Sequence, residues 1–143
     1  MFGWQGKTYL KILDNMPEGV YLVDTDKKIQ YWNRAAETLT GLTSTEVLGK
    51  IFDQINIGYE DEGGTPIEAF EYPVALCFQE KKPVNKNLFL RSADMSIPVE
   101  ETVTPIYEKE KIVGVIATMK NITKCIETVT AHLKAEKKER LIP

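Results

Sequence analysis

The sequence predicts an α+β domain built on a five-stranded antiparallel sheet with short helices on one face. Strand-like segments form one group before and one group after a block of helical segments, an order typical of α+β domains. The chain has 143 residues, which suits one domain with an ordinary hydrophobic core and some flanking sequence. Its 43% hydrophobic and 27% charged residues are typical of a soluble globular chain.

Composition also narrows the classes of function. The formal net charge is −3, so we expect neither nucleic acid nor a membrane surface as a partner of this domain. No segment reaches the ~18 apolar residues of a membrane span, and the N-terminus lacks the apolar run of a signal peptide. The two cysteines, Cys77 and Cys125, have no CxxC spacing. We therefore expect a cytoplasmic setting and no metal site.

The first predicted elements are a helix and a β-hairpin. Helically spaced apolar residues between 9 and 16 predict a first helix that ends before Pro17. Residues 19–33 then alternate on either side of a polar turn at residues 24–27. This pattern predicts two antiparallel strands.

Short helices with clear ends follow the hairpin. Asn33 suits the N-cap of the first, and Gly41 suits its C-terminal stop. Residues 43–50 repeat this pattern in miniature, and residues 51–57 predict a further helical turn. Residues 58–66, GYEDEGGTP, have the composition of a loop.

A longer helix and three strands complete the predicted domain. Pro73 opens the helix at its favoured first position, and apolar residues at i, i+3 and i+4 give it one buried face. The period then changes to two, which predicts strands at residues 84–92, 95–107 and 112–119. The second contains two prolines, which predict an irregular or edge-like strand. The third has no polar face, which predicts cover on both sides.

This order of elements, with these residues in place, resembles a PAS domain, the sensory module of bacterial and archaeal signalling proteins. Three segments carry the resemblance: residues 12–50, residues 71–84 and residues 97–123. Together they span roughly residues 9–124, and their order and spacing make the match specific.

The resemblance implies a division of the chain and a regulatory role. It implies an N-terminal cap helix at residues 1–17, a PAS core at 18–121 and a C-terminal signalling or coiled-coil helix at 122–143. It implies a non-enzymatic sensor in signal transduction, such as a two-component system, or the regulatory part of a kinase, cyclase or transcription regulator. Such a domain binds a small ligand or cofactor, dimerises, or does both. The alternative is a ligand-free structural module for dimerisation or protein interaction.

The resemblance also points to five signalling residues: Asp24 at a strand end, Asn33 in an Asn-x-x-Ala motif, and Asn121, Ile122 and Thr123 at the exit. Relatives usually carry Asp-Ile-Thr at the exit. Asparagine accepts the same backbone hydrogen bond but has no charge, and a charge-assisted bond is roughly twice as strong. We therefore expect a looser junction here.

A ligand in such a domain lies between the sheet and the helices. The sequence predicts this candidate pocket lining: Phe52, Ile55, Val74, Cys77, Phe78, Leu88, Leu90 and Met119. These side chains either line a cavity or fill it, and the pattern alone does not choose.

No cofactor is assigned by a motif. Flavin-binding photoreceptors of this family carry a reactive cysteine before the long helix, and residues 49–59 contain none. Non-covalent flavin remains compatible with the sequence. Haem would need an axial ligand, for which Cys77 and Met95 are weak candidates, because buried cysteine and methionine are ordinary apolar fillers. The one histidine, His132, lies beyond the last strand, so no catalytic set is predicted.

The C-terminal segment has a coiled-coil pattern. Ile122, Ile126, Val129 and Leu133 are spaced 4, 3, 4, as in a heptad seam. The seam fades into charged residues from position 136, so it lasts about two heptads. We expect a homodimer that also uses the N-terminal helix and the outer sheet face, and an output domain in the same polypeptide. The alternative is an amphipathic helix that packs back on its own sheet.

Overall fold

The computed structural model describes the backbone of residues 6–141 and the side chains of residues 8–135. The helices are α1 (Gly6–Asp14), α2 (Arg34–Thr40), α3 (Ser44–Val47), α4 (Pro73–Glu80) and α5 (Thr123–Leu141). The strands are β1 (Gly19–Asp24), β2 (Ile29–Trp32), β3 (Tyr59–Glu60), β4 (Val84–Ser92), β5 (Met95–Glu108) and β6 (Lys111–Asn121). Within the described range, no helix combines the length and apolar character needed to cross a bilayer.

The predicted fold class is confirmed. One antiparallel sheet has the order β2-β1-β6-β5-β4-β3, so the first and last strands along the chain lie side by side as β1 and β6. The sheet has six strands instead of the five expected. The extra strand is β3, two residues that pair with Leu90 and Phe89 of β4. It lies inside the segment predicted as a loop, because two residues between turn-forming ones leave no periodic signal and only pairing with β4 defines them.

Strand β5 tolerates two prolines because of where they lie in the sheet. Residues 99–103 lie between β4 and β6, so β5 is an interior strand over that stretch. Pro98 lies beyond the last β6 pair, and Pro105 lies beyond the last β4 pair. Each proline is therefore found where β5 has a single neighbour, because proline has no N–H for a second ladder. The edge-like character holds only at the two ends.

The prediction that β6 is covered on both faces is wrong. Val115, Ala117 and Met119 on one face are at most 1% exposed, whereas Ile116 and Thr118 on the other face are only partly buried. Antiparallel sheets commonly pack one face on the core and leave the other partly in water. The outer face of this sheet is therefore available for contacts.

Helix ends follow the local sequence signals. Asn33 caps α2 by accepting a hydrogen bond from the Ala36 N–H at 2.9 Å, and Gly41 ends α2 with φ of 76°. Helix α4 begins at Pro73 and ends at Lys81, whose φ is 58° and whose N–H donates to the Cys77 carbonyl. Helices α2, α3 and α4 pack against the inner face of the sheet, and the core lies between them and the sheet.

Candidate functional site

A fully buried carboxylate lies at the centre of the core. Glu101 has 0% exposed surface. Its Oε2 accepts a hydrogen bond from the Tyr21 hydroxyl at 2.8 Å. The Tyr59 hydroxyl lies 2.6 Å from Oε1 and 2.8 Å from Oε2. The two phenol oxygens are 3.4 Å apart. We call Glu101, Tyr21 and Tyr59 the acid–phenol cluster.

Three strands bring the cluster together. Glu101 lies on β5 between Val99 and Val103, and the two-residue alternation of a strand turns all three to the inner face. Tyr21 comes from β1 on the far side of β6, and Tyr59 comes from β3 at the sheet edge. The cluster thus joins strands that are distant along the chain.

Aromatic rings surround the acid–phenol cluster. Tyr21 packs against Trp32 with ring centroids 5.3 Å apart, and against Phe52 at 5.1 Å. Tyr72 lies 4.9 Å from Tyr59 and 6.1 Å from Phe52. Four of these contacts are tilted or edge-on, geometries that aromatic pairs favour. Glu101 has no solvent-exposed surface, so its charge is poorly solvated.

Burial therefore controls the ionisation of the acid–phenol cluster. Desolvation raises the pKa of Glu101 to about 7, although hydrogen bonds from Tyr59 and Tyr21 oppose the rise. Burial, reinforced by the Glu101 charge, raises the pKa of both Tyr21 and Tyr59 well above the ordinary value for a phenol. Both phenols therefore stay neutral donors near pH 7, and Glu101 is the member that changes charge there.

A second buried carboxylate has a different partner. Glu60 is 8% exposed and forms an ion pair with Arg91 at 3.1 Å between Oε1 and Nη2. The Arg91 Nε also donates to Oε2 at 3.2 Å. The guanidinium compensates the charge of Glu60, as is usual for a buried carboxylate, although Oε1 accepts no hydrogen bond from any described group.

The predicted pocket lining comes together in one core. Six of its residues are buried: Phe52, Ile55, Val74, Cys77, Leu90 and Met119. Phe78 and Leu88 are partly buried and pack against the same core. Phe52 also contacts the rings of Tyr21 and Tyr59 in the acid–phenol cluster. Their role as a ligand-binding surface stays a prediction.

The weak haem candidates are poorly placed to act as a pair. Cys77 is fully buried, and desolvation, with a smaller effect of Glu80, raises its pKa to about 11. This opposes the thiolate that would bind iron. Met95 is 65% exposed at the turn between β4 and β5. Among the described residues, no group of three or more His, Cys, Asp or Glu side chains is arranged to hold a metal ion.

The predicted signalling residues near the N-terminus act as local connectors. Asn33 Oδ1 also accepts from the Val20 N–H at 2.8 Å, while its Nδ2 donates to the Leu13 carbonyl at 2.8 Å. Asn33 thus ties the end of α1, β1 and the start of α2 together. Asp24 Oδ1 accepts from the Asp26 N–H at 2.9 Å and stabilises the hairpin turn.

The exit junction is a compact hydrogen-bonded turn. Asn121 Oδ1 accepts from the Thr123 N–H at 3.0 Å and from the Thr123 hydroxyl at 2.7 Å. The Ile122 N–H donates to the Pro98 carbonyl of β5 at 3.0 Å. The first residues of α5 are therefore fixed both to the end of β6 and to β5.

The predicted seam of α5 faces solvent in the single chain. Ile126, Val129 and Leu133 are 44%, 59% and 56% exposed, whereas Ile122 is half-buried. The side chains of residues 136–143, where the seam was predicted to fade, lie outside the described residues.

Sequence reasoning missed the acid–phenol cluster. The alternation that turns Val99 and Val103 inward also turns Glu101 inward, because all three share one strand face. A strand-face reading of β5 therefore predicts an inward carboxylate. Nothing local predicts its partners, because Tyr59 lies in the segment read as a loop and Tyr21 in a distant hairpin.

Comparison with known proteins identifies the architecture. The PAS fold family matches residues 7–122 of the chain. "Two-component system protein A" of Emericella nidulans is 23% identical over 140 residues, which cover 96% of this chain and 20% of that protein. The chain therefore spans about one fifth of the length of this curated relative.

Solved structures agree on the fold. The PAS domain of Bordetella pertussis BvgS superposes with a TM-score of 0.60 at 16% identity, covering 94% of this chain and 99% of that one. The histidine kinase ThkA, solved in complex with the response regulator protein TrrA, gives 0.65 at 21% identity, covering 92% of this chain and 36% of that one. The family match over residues 7–122, together with the sheet order and helices described above, shows that this chain belongs to the PAS fold family.

Proposed function

We propose that this PAS domain is a non-enzymatic sensory module whose core receives a signal and whose exit helix relays it to an output domain of the same polypeptide. In this proposal the cap segment is residues 1–17, the core is residues 18–121 and the signalling segment is residues 122–143; residues 1–5 and 142–143 lie outside the described residues. Its relatives include a two-component system protein and a histidine kinase. This chain spans one fifth of the former, so the identity of the output domain is part of the proposal.

The acid–phenol cluster is the observation that carries the proposal. A core that served packing alone would be more stable without a buried carboxylate, because an apolar group of similar volume avoids the desolvation cost. Groups with strongly shifted ionisation in a protein interior are candidates for functional sites. The signal is received here, or by a small ligand among the aromatic rings and the predicted lining residues around it.

The sheet supplies a short path from the core to the exit helix. Glu101 lies opposite Met119 of β6, and Val99 lies opposite Asn121. A shift of β5 relative to β6 would therefore move the Asn121–Thr123 turn directly, because the paired strands β5 and β6 connect Glu101 to it. The relay is a population shift between two positions of α5, so the stimulus must have a different free energy of interaction with each.

A second copy of this chain is the proposed dimer partner. The exposed seam of α5 and the apolar residues Leu10 and Ile12 of α1, which are 46% and 57% exposed, are available for it. A groove of about 540 Å³ lies between α1 and the outer sheet face, where Leu22 and Val113 line it. Because the described part of the α5 seam is short, α1 and the outer sheet face would supply the rest of the contact.

An environment-sensitive fluorophore on Cys125, the exposed cysteine of α5, tests the relay. A metabolite panel is first screened for compounds that raise the melting temperature. We expect Asn121→Ala to reduce the fluorophore's response to such a compound more than it reduces the affinity. Asn85→Ala is the matched control, because Asn85 is an exposed asparagine that binds Glu100 and Thr102 away from the exit. Equal losses of response and affinity would contradict the relay.

The ligand-free structural module remains the second candidate, favoured by the dense aromatic packing of the core. Native mass spectrometry and a visible absorption spectrum of the purified chain separate the two. A colourless dimer at twice the bare chain mass, with no melting shift from any compound or from pH, would support the structural module.

A further inference from the structure

We infer that the acid–phenol cluster is itself the sensor, and that binding or release of one proton at Glu101 near neutral pH is the signal it passes to the exit helix. This inference rests on the proposed sensory function and names its stimulus.

Among the residues whose side chains the structure describes, none supplies a positive charge that compensates Glu101. The groups that contact it are the phenols of Tyr21 and Tyr59 from β1 and β3, and the thiol of Cys77 from α4 lies near Tyr21. Lys86 lies opposite it on β4, but its side chain is exposed and the two form no ion pair. On β6 the opposite residue is the apolar Met119. Without a cation, a buried carboxylate near neutral pH readily takes up a proton.

The two protonation states require different hydrogen bonds. An ionised Glu101 only accepts, so both phenols donate to it and neither donates to the other. The observed distances fit this state: both phenols are 2.6–2.8 Å from the carboxylate, and they are 3.4 Å from each other. An O–H···O bond is usually 2.5–3.0 Å long, so the phenol–phenol contact is weak.

A protonated Glu101 becomes a donor and allows a closed ring. Its hydroxyl donates to the Tyr59 oxygen, the Tyr59 hydroxyl donates to Tyr21, and the Tyr21 hydroxyl donates back to Oε2. The Tyr21–Tyr59 bond must then shorten from 3.4 Å to about 2.8 Å. One proton therefore draws β1 and β3 together across the sheet, or moves the side chains that join them.

The cluster is placed to act on the exit. Tyr21 lies opposite Ala117 of β6, and Glu101 lies opposite Met119. Ala117 and Met119 are both within four residues of Asn121, whose side chain accepts the Thr123 N–H at the start of α5. The same β5 strand also accepts the Ile122 hydrogen bond at Pro98. A rearrangement of the cluster thus bears on β6 and β5, the two strands that hold the start of α5.

The test follows both the proton and the helix in the complete chain. Carbon-13 labelling of glutamate carboxyl groups gives the titration of Glu101 by NMR, assigned by the resonance that Glu101→Gln removes. A fluorophore on Cys125 reports the start of α5 over the same pH range. All samples carry His132→Gln, because histidine ordinarily changes charge near neutral pH and His132 lies on the labelled helix. Glu100→Gln, on the outer face of β5, is the matched control.

We expect the Glu101 carboxyl and the Cys125 fluorophore to titrate with the same midpoint, within about one pH unit of 7. The fluorophore's transition should disappear in Glu101→Gln, which imitates the protonated acid, and persist in Glu100→Gln. A Glu101 carboxyl still ionised at pH 5 overturns the inference, as does a fluorophore transition that survives Glu101→Gln. If a compound from the metabolite panel still moves the fluorophore in those cases, the sensory function stands and only the proton as stimulus fails. A fluorophore that responds neither to pH nor to any compound of the panel would contradict both the proton as stimulus and the sensory function.

Discussion

The two buried carboxylates show how the same side chain serves two purposes. Glu60 is held by the Arg91 guanidinium, whereas Glu101 is held by neutral phenols alone. The neighbours Tyr59 and Glu60 of β3 take part in the two arrangements, Tyr59 with Glu101 and Glu60 with Arg91. A guanidinium compensates a carboxylate at every physiological pH, because arginine is always charged. Phenols only solvate the charge, so Glu101 stays poised between two states.

The largest expected effect comes from Glu101→Gln and depends on pH. The folded pKa of Glu101 is about 7, and the unfolded value is about 4.3. The folded state therefore binds the proton more tightly, and its contribution to stability is complete below pH ~4.3 and lost as pH rises to ~7. Glutamine has no such loss. Raising the pH from 4 to 8.5 should therefore lower the stability of wild type by about 3–4 kcal/mol more than it lowers the stability of Glu101→Gln.

Urea denaturation at both pH values measures this difference from the midpoints. Glu100→Gln is the control, because Glu100 is only partly buried on the opposite face. If the unfolding free energies of wild type and Glu101→Gln changed in parallel from pH 4 to 8.5, Glu101 would have the same pKa in the folded and unfolded states, which would contradict the prediction.

Tyr59→Phe should have the next largest effect. It removes the hydroxyl that contacts both oxygens of Glu101 at 2.6 and 2.8 Å, so the ionised acid loses a charge-assisted hydrogen bond. We expect a loss of about 1.5–3 kcal/mol at pH 8.5, a smaller loss at pH 5, and a further rise in the pKa of Glu101. Tyr21→Phe, which removes a single contact, should cost less. Carboxyl NMR and urea denaturation test the pair, and a lower pKa in either variant would contradict the geometry.

Arg91→Ala should cost less, because the arginine side chain is 45% exposed and solvent screens much of its charge. We expect a loss of stability smaller than that of Tyr59→Phe, although the removal leaves a carboxylate that is mostly out of water without its partner. The loss should be smaller at high salt. Denaturation at low and high ionic strength measures it. A loss as large as that of Tyr59→Phe would mean that the two carboxylates are not as different as their partners suggest.

The smallest effects are expected at the exit junction. Asn121→Ala removes the acceptor for both Thr123 groups and should destabilise the start of α5 by about 1 kcal/mol. Asn121→Asp, which restores the Asp-Ile-Thr exit of the resemblance, should instead strengthen this turn, because the bonds become charge-assisted. Amide hydrogen exchange at residues 123–126 measures both. Faster exchange in Asn121→Asp would contradict the capping geometry.

Much of the fold was predictable because its signals are local. Asn33 and Gly41 mark the two ends of α2, and Pro73 marks the start of α4. The change of period near residue 84 predicts the strands that follow. Strand β3 and the uncovered outer face of β6 were not predicted. Strand β3 exists because it pairs with β4, and the outer face of β6 is uncovered because the helices of the core lie on the other face of the sheet. Neither feature can be read from a local stretch of sequence.

The candidate site divides in the same way. The sequence by itself determined the helices, every described strand except β3 and the asparagine at the exit, and the alternation of β5 places Glu101 on the same face as Val99 and Val103. Only the tertiary structure decided that Tyr21 and Tyr59 meet there, 80 and 42 residues away along the chain, with no cation among the described side chains beside them. Ionisation depends on what surrounds a group within a few ångströms, and in a sheet that closes β1 against β6 those neighbours come from both ends of the chain.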